Sequence, residues 1–254
     1  MHTPISEHHR LNSNDTLRGF ALLGILVMNI QSFAMISAAY TFPNLHMDIT
    51  GMNLAIWTLS HVFADRKFMA IFSMLFGAGV ILATQRRDQA GQRTWTYHYA
   101  RMFWLLIFGM IHAYFIWYGD ILVTYALCGF VVYWFRNLSA LTLFFIGGIF
   151  LLIALLIMMS SGVAPVDVQQ GILTDFVPTR AEIDREISAY RGTWSDVQDA
   201  RLIEALDIQF AGIPFFLFWR AGGLMLIGMA LFKFGVFSAR RRVTLYLRFF
   251  WVSG

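Results

Sequence analysis

Residues Leu141–Met159 read LTLFFIGGIFLLIALLIMM, nineteen positions without a charge. As an α-helix at about 1.5 Å per residue this run is about 28 Å long, close to the roughly 30 Å of a bilayer's hydrocarbon core. It has no polar face to offer water, so it reads as a membrane-spanning helix. The rest of the chain agrees. Apolar residues make up 58% of the 254 positions and charged residues 13%, against about 45–50% and about 25% in soluble proteins. Mean hydropathy is +0.60, and there are 25 Phe, 13 Met and 8 Trp. A water-soluble particle of this size cannot hide that much apolar side chain. This excludes a soluble enzyme.

Working outward, five more apolar runs have the character of spans: Leu17–Ala39, Lys67–Thr84 (preceded by the amphipathic Met52–Val62), Met102–Tyr118, Ile121–Phe135 and Ile213–Phe234. Val243–Gly254 begins a seventh and stops after a dozen residues. The expected architecture is all-α, a polytopic transmembrane bundle of about six spans plus the start of a seventh. It divides into an N-terminal bundle (1–159), an acidic extracytoplasmic segment (160–211) and a C-terminal membrane region (212–254). Met1–Asn14 is polar and no small-residue cleavage pattern follows the first run, so that run is expected to be retained as a helix. The single cysteine, Cys128, lies inside an apolar run, which rules out a disulfide framework or a cysteine-based metal site.

The net charge of +4 is not a nucleic-acid signature, because the basic residues fall in short tracts between apolar runs. With the N-terminus in the cytoplasm, twelve of the nineteen Lys and Arg lie on the inner side, including Arg86, Arg87, Arg93, Arg101 and Arg136. That orients the chain with its N-terminus inward. The segment 160–211 carries nine Asp/Glu against four Arg, a net −5 on the outer side. Within it Thr179 followed by Glu182 predicts a helix start with a capping box. This segment reads as a solvated amphipathic cap, with a substrate lid as the alternative.

Polar side chains inside spans are costly and so are default functional candidates. Asp15 and Arg18 stand at the inner mouth of the first span, where a helix cap by Asp15 and an interfacial, snorkelling Arg18 are the structural alternative. Arg18 shares a helix face with Asn29, since eleven residues is close to three turns, and the two are expected to form a polar stripe running inward from the cytoplasm. His112 falls in the outer half of the third span, and Asp120 sits eight residues on, at the turn after Gly119. An imidazole there suits proton transfer or transient acyl acceptance. Structural roles for both residues, a helix–helix hydrogen bond and a helix cap, stay open on sequence alone. Arg220 in the sixth span calls for an anionic partner, with Asp120 as the expected one and a ligand's anionic group as the alternative. His46, Asp48, His61 and Asp65 gather before the second span, but their spacing matches no metal signature, so no metal is expected. Gly77, Gly79, Gly222, Gly223 and Gly228 read as close-packing positions.

The run Asp15–Ser32, DTLRGFALLGILVMNIQS, resembles the opening helix of the YeiB-like membrane proteins, the DUF418 family. Further matches follow in order: Lys67-Phe68 with Phe72–Gly79, Gly109–His112, Gly119–Leu122 with Tyr125, and Gly223–Leu231. The resemblance covers the family's N-terminal and middle parts, and the chain stops where its C-terminal helices would follow. It implies a fragment or a shortened homologue. The wider clan is similar to membrane acyltransferases such as the lysosomal heparan-glucosaminide N-acetyltransferase, in which acyl-CoA on the cytoplasmic side supplies an acceptor on the far side.

By that resemblance His112 and Asp120 are the catalytic candidates, with Asp15, Arg18, Asn29 and Arg220 as substrate-binding residues. The basic inner mouth (Arg18, Arg86, Arg87, Arg93) would hold the phosphates of acyl-CoA as co-substrate. The implied acceptor is an envelope sugar or lipid, and no cofactor is bound. His46 is the alternative active histidine. A small-molecule transporter, with His112 relaying protons, and an inactive fragment are the competing expectations.

Overall fold

The computed structural model describes residues 12–45, 48–163 and 177–237. Among the described residues every regular element is helical. In chain order these are α1 (Asn12–Ala34), two short 3₁₀ turns (Ser37–Tyr40 and Pro43–Leu45), α2 (Gly51–Phe63) and α3 (Lys67–Gln89). Then follow α4 (Thr94–Phe115), α5 (Leu122–Val132), a 3₁₀ turn (Tyr133–Phe135) and α6 (Ala140–Val163). The last are α7 (Arg180–Tyr190), α8 (Trp194–Asp207), a π-helical stretch Ile208–Leu217 and α9 (Phe218–Lys233).

Among the described residues four helical stretches are long and apolar enough to cross a membrane: Asp15–Ala34, Gly51–Gln89, Ala140–Ser160 and Trp194–Lys233. This is fewer than the six expected, for two physical reasons. The 22 residues of α4 are enough for a span, but its first two turns carry Thr94, Thr96, His98 and Arg101, which dilute its apolarity. The apolar stretch containing α5, Leu122–Phe135, falls below spanning length. The seventh run, Val243–Gly254, lies outside the described residues. The first span is also shifted, since α1 ends at Ala34 and the chain then turns in 3₁₀ geometry where the sequence predicts helix to Ala39.

Helix α9 is the hub, packed between α3 and α6. Backbones approach closely because glycine stands at each crossing. A Cβ on Gly77 would run into the carbonyl of Met225, and one on Gly228 into the carbonyl of Met74. These reciprocal contacts make α3 and α9 cross side by side, as small-residue helix pairs do in membranes. In the same way Gly223 meets the Gly147 carbonyl and Gly147 the Gly223 carbonyl, each at 2.8 Å from a notional Cβ. Gly148, next in sequence, faces open space. The core around α9 holds Ile81, Tyr125, Cys128, Val132, Leu143, Met225 and Met229. Outside it, Phe20, Leu23, Phe145 and Leu156 stand exposed, as lipid-facing side chains do.

Two ends are defined by contacts. At the basic end Thr94 bonds Tyr133 (2.9 Å) and Lys233 Nζ donates to the Leu138 carbonyl (2.6 Å). At the opposite end α7 packs on the tip of α1 through Ile183 against Ile36 and Ala39, and Glu186 accepts from the Ser37 N–H at 2.7 Å. The predicted capping box is present: Thr179 accepts the Glu182 N–H while Glu182 accepts the Thr179 N–H. A second box, Thr193 with Asp196, starts α8. Both carboxyls are fully exposed, and hydrogen bonds from their threonines hold them below the usual carboxylate range. From Trp194 to Lys233 the helix is unbroken for 40 residues, about 60 Å or twice the thickness of a bilayer core, so α8 projects beyond any single crossing. Pro214 lies inside this rod, in the π-helical stretch. Its missing N–H and bulky ring are incompatible with regular α-helical bonding, and the wider π turn accommodates them.

Candidate functional site

The end of α4 sets the geometry. The N–H groups of Ile116 and Trp117 both bond the His112 carbonyl, which closes the helix. Gly119 then passes under the Trp117 ring where any side chain would collide, and this brings Asp120 back toward α4. His112 Nδ1 and Asp120 Oδ1 stand 2.9 Å apart. The imidazole side chain is about a third exposed (32%) and the carboxylate almost wholly covered (2%). The contact does not count as an aligned hydrogen bond, and neither atom has another hydrogen-bond partner. Asp120 Oδ2 meanwhile accepts the Val123 N–H at 2.7 Å. The aspartate therefore does both things read from the sequence: it caps the first turn of α5 and it faces the imidazole.

Helix α8 fastens this corner. The last carbonyls of an α-helix have no partner within it. Here Gln198 Nε2 donates to the Tyr114 carbonyl (2.6 Å) and Arg201 Nη1 to the Phe115 carbonyl (2.8 Å). Arg201, 9% exposed, also puts a positive charge at the negative end of the helix dipole. Tyr114 Oη donates to Gln209 at 2.7 Å. Nothing in a single sequence pairs Arg201 with α4. Its place in an acidic, water-exposed stretch is the wrong signal for a buried cation.

Arg220 does not pair with Asp120. Its guanidinium reaches the Arg66 carbonyl (3.2 Å) and Met69 Sδ (3.7 Å) at the start of α3. Arg66 takes a left-handed backbone, φ 60°, costly for a non-glycine residue, and this conformation precedes α3. Beside it Asp65 accepts from Tyr40 Oη at 2.6 Å. Asp120 instead faces His112 and bonds Val123 within its own turn, and Arg220 bonds the backbone of another helix start. One turn deeper Ser73 and Tyr125 share a buried hydrogen bond of 2.6 Å, a pair the sequence did not single out.

Arg18 and Asp15 lie toward the basic end, well apart from His112. The described α1 starts at Asn12, so Asp15 stands in its first turn and not at its cap. It faces Arg18 at 3.4 Å. Arg18 Nη2 donates to the Leu75 carbonyl at 3.1 Å. Asn29 is half-buried and lies eleven residues along, about 16 Å at the helical rise. No hydrogen bond joins it to Arg18, so the expected stripe is not a connected network. His46 lies outside the described residues. His61 Nδ1 is bonded to the Trp57 carbonyl (2.8 Å), and no group of three metal-type ligands exists among the described residues.

A cavity of about 170 Å³ opens beside the His112 corner, between α1 and α7, lined by Ser32, Phe33, Tyr118, Glu186, Tyr190 and Arg191 among others. Phe33 packs edge-on to Trp117 (4.9 Å), which in turn stands edge-on to His112 (6.4 Å).

Apolar helices packed through glycines, with lipid-type side chains outward and few buried ionisable groups, mark this as a helical membrane protein. Its relatives give that class a more particular character. Over 230 residues, 87% of the chain, it is 30% identical to the uncharacterized protein YeiB of Escherichia coli (strain K12). It is 33% identical to the uncharacterized protein YxaH of Bacillus subtilis (strain 168) over 151 residues, 55% of the chain. To an uncharacterized 39.9 kDa protein in the amylase 3′ region of Bacillus acidopullulyticus it is 34% identical over 149 residues, 59% of the chain. These homologues support a YeiB-like family. The alignments span 55%, 36% and 40% of those proteins' own lengths. No family model and no solved structure matches the chain.

Proposed function

We propose that the protein crosses a bacterial inner membrane six times, N-terminus in the cytoplasm, and transfers an acyl group from cytoplasmic acyl-CoA to an envelope sugar or lipid. The observation that carries this reading is the His112–Asp120 contact of 2.9 Å. Asp120 holds the Nδ1 side of the ring, leaving Nε2 to take the proton of an acceptor hydroxyl or amine. The acceptor oxygen or nitrogen attacks the thioester carbonyl carbon. The tetrahedral intermediate collapses to the new ester or amide, and the departing thiolate regains the proton from His112. The cavity beside Trp117 and Tyr118 has the hydroxyls, carboxylate and aromatic faces that suit a polyhydroxylated acceptor. Arg18, with Asp15 at its side, serves the donor at the basic end. Asn29 on the same helix face and Arg220 at the opposite end line the path between.

The test is label transfer from radiolabelled acetyl-CoA in membranes carrying wild-type protein or the variant H112Q. Loss of a general base costs about 10²–10⁴-fold, so wild type should label an acceptor and H112Q should lose at least a hundredfold. No label in wild-type membranes, or equal label in both, overturns the reading. Proton-coupled uptake that is lost in H112Q without label transfer would place the pair in a transporter.

A further inference from the structure

At the basic end, α1, α3 and α4 enclose a second cavity of about 120 Å³, lined by Arg18, Phe76, Gly79, His98, Arg101 and Met102 among others. Two guanidiniums from different helices face it, and no carboxylate lines it. The nearby acid is Asp15, on the exposed side of Arg18. A guanidinium has five N–H donors. Leu75 and Asp15 engage one from each terminal nitrogen of Arg18, leaving three without a protein acceptor among the described residues. Gly79 makes room for this arrangement, because a Cβ there would stand 2.6 Å from Arg18 Nη2.

Arg101 has no carboxylate partner among the described residues; it leans over the Tyr97 ring at 5.5 Å, while Arg87 lies over that same ring at 4.1 Å. The rear wall is rigid. His98, 2% exposed, donates to the Gly129 carbonyl from Nε2 (2.9 Å) and stacks on Tyr133 at 4.5 Å.

Two like charges at the rim of one cavity, Arg18 about a third exposed and Arg101 exposed, with no carboxylate in its lining, repel each other, and an anion seated between them relieves that repulsion. We infer that this pocket binds a phosphoryl group, held by Arg18 and Arg101 together. A doubly charged tetrahedral oxyanion offers oxygens to both guanidinium forks and balances both charges, whereas a carboxylate balances one. The phosphoryl group could belong to a soluble molecule entering from the basic end or to a phospholipid headgroup. The inference stands on the pocket alone and does not require acyl transfer.

The experiment is a titration of purified full-length protein in detergent with inorganic phosphate, adenosine 3′,5′-bisphosphate and acetate, read by calorimetry. Native mass spectrometry of the same samples reports retained phospholipid. Wild type should bind phosphate or the bisphosphate at least tenfold more tightly than acetate. R18Q and R101Q should each lose at least tenfold, while H112Q binds as wild type does. R101Q changes an exposed rim residue, so it remains informative if R18Q fails to fold. One phospholipid per chain, absent from R101Q and displaced by phosphate, identifies the source as lipid, and bisphosphate binding without retained lipid identifies it as soluble. Equal binding by wild type and R101Q, with no retained lipid that differs between them, or acetate binding as tightly as phosphate, overturns the inference. Loss of label transfer in H112Q with phosphate binding intact would separate this site from the acyl-transfer reading.

Discussion

Asp120 has two oxygens in two different jobs, and its variants separate them. In D120N the side-chain carbonyl can still accept the Val123 N–H, while the negative charge beside His112 is gone. The expected outcome is a thermal midpoint close to wild type and label transfer reduced at least tenfold. D120A loses the cap as well and should cost about 1 kcal/mol of stability, seen as a lower midpoint in detergent. Equal midpoints for D120N and D120A would mean that the 2.7 Å bond to Val123 contributes nothing. Arg201 makes a companion case. R201A leaves the Phe115 carbonyl unpaired in a covered corner, at about 1–3 kcal/mol, and R201K should recover part of it. The His112–Asp120 pairing was legible in the sequence because both residues flank one short turn. The Arg220–Asp120 pairing was read from depth and charge alone, and it failed because Asp120 folds back onto its own turn, against His112 and Val123, while the guanidinium reaches the Arg66 carbonyl at the start of α3.

Helix starts and helix crossings were the most readable elements. The Thr179–Glu182 box follows from a local pattern with a local mechanism, and it is there. Its pH response follows too. The carboxyls of Glu182 and Asp196 are held below their usual values by hydrogen bonds from their threonines. Each therefore adds stability that is complete above the ordinary carboxylate range and is lost as pH falls through the lowered value. Hydrogen exchange of peptides from α7 and α8, corrected for intrinsic rate, should accelerate on acidification, and the E182Q/D196N double variant should flatten that response.

The glycines divide by environment in a way no composition could show. G77A and G228A drive a methyl into backbone carbonyls across the α3–α9 crossing and should lower the midpoint, with overpacking costs of about 1–3 kcal/mol each. G148A faces open space and should leave the midpoint unchanged or raise it. Gly79, read as a packing residue, instead makes room for Arg18. That assignment needed the neighbouring helix, since His98 and Arg101 share a face of α4 but meet Arg18 only across the bundle.

For the molecule as a whole, apolar run lengths made the helical membrane class plain from sequence, while the number of crossings was harder to read. α5 is short and largely covered by its neighbours, and α4 starts with a partly polar stretch, so hydropathy alone does not decide whether either crosses. Topology can be argued from how charge is distributed over the two ends. Arg86, Arg87, Arg93 and Arg136 gather where α3, α4 and α5 meet, whereas α7 and α8 carry the acids at the far end. If basic tracts stay inside and α8 continues α9 past the bilayer, a cysteine placed at Asp184 should react with a membrane-impermeant maleimide in intact cells. A cysteine at Arg93 should react only after permeabilisation. The native Cys128 is fully buried and should give little background. Labelling at both positions from outside, or at Arg93 alone, would invert or abolish the proposed orientation. It would also put the Arg18–Arg101 pocket on the wrong side for a cytoplasmic phosphate, whatever the pocket's affinity in detergent.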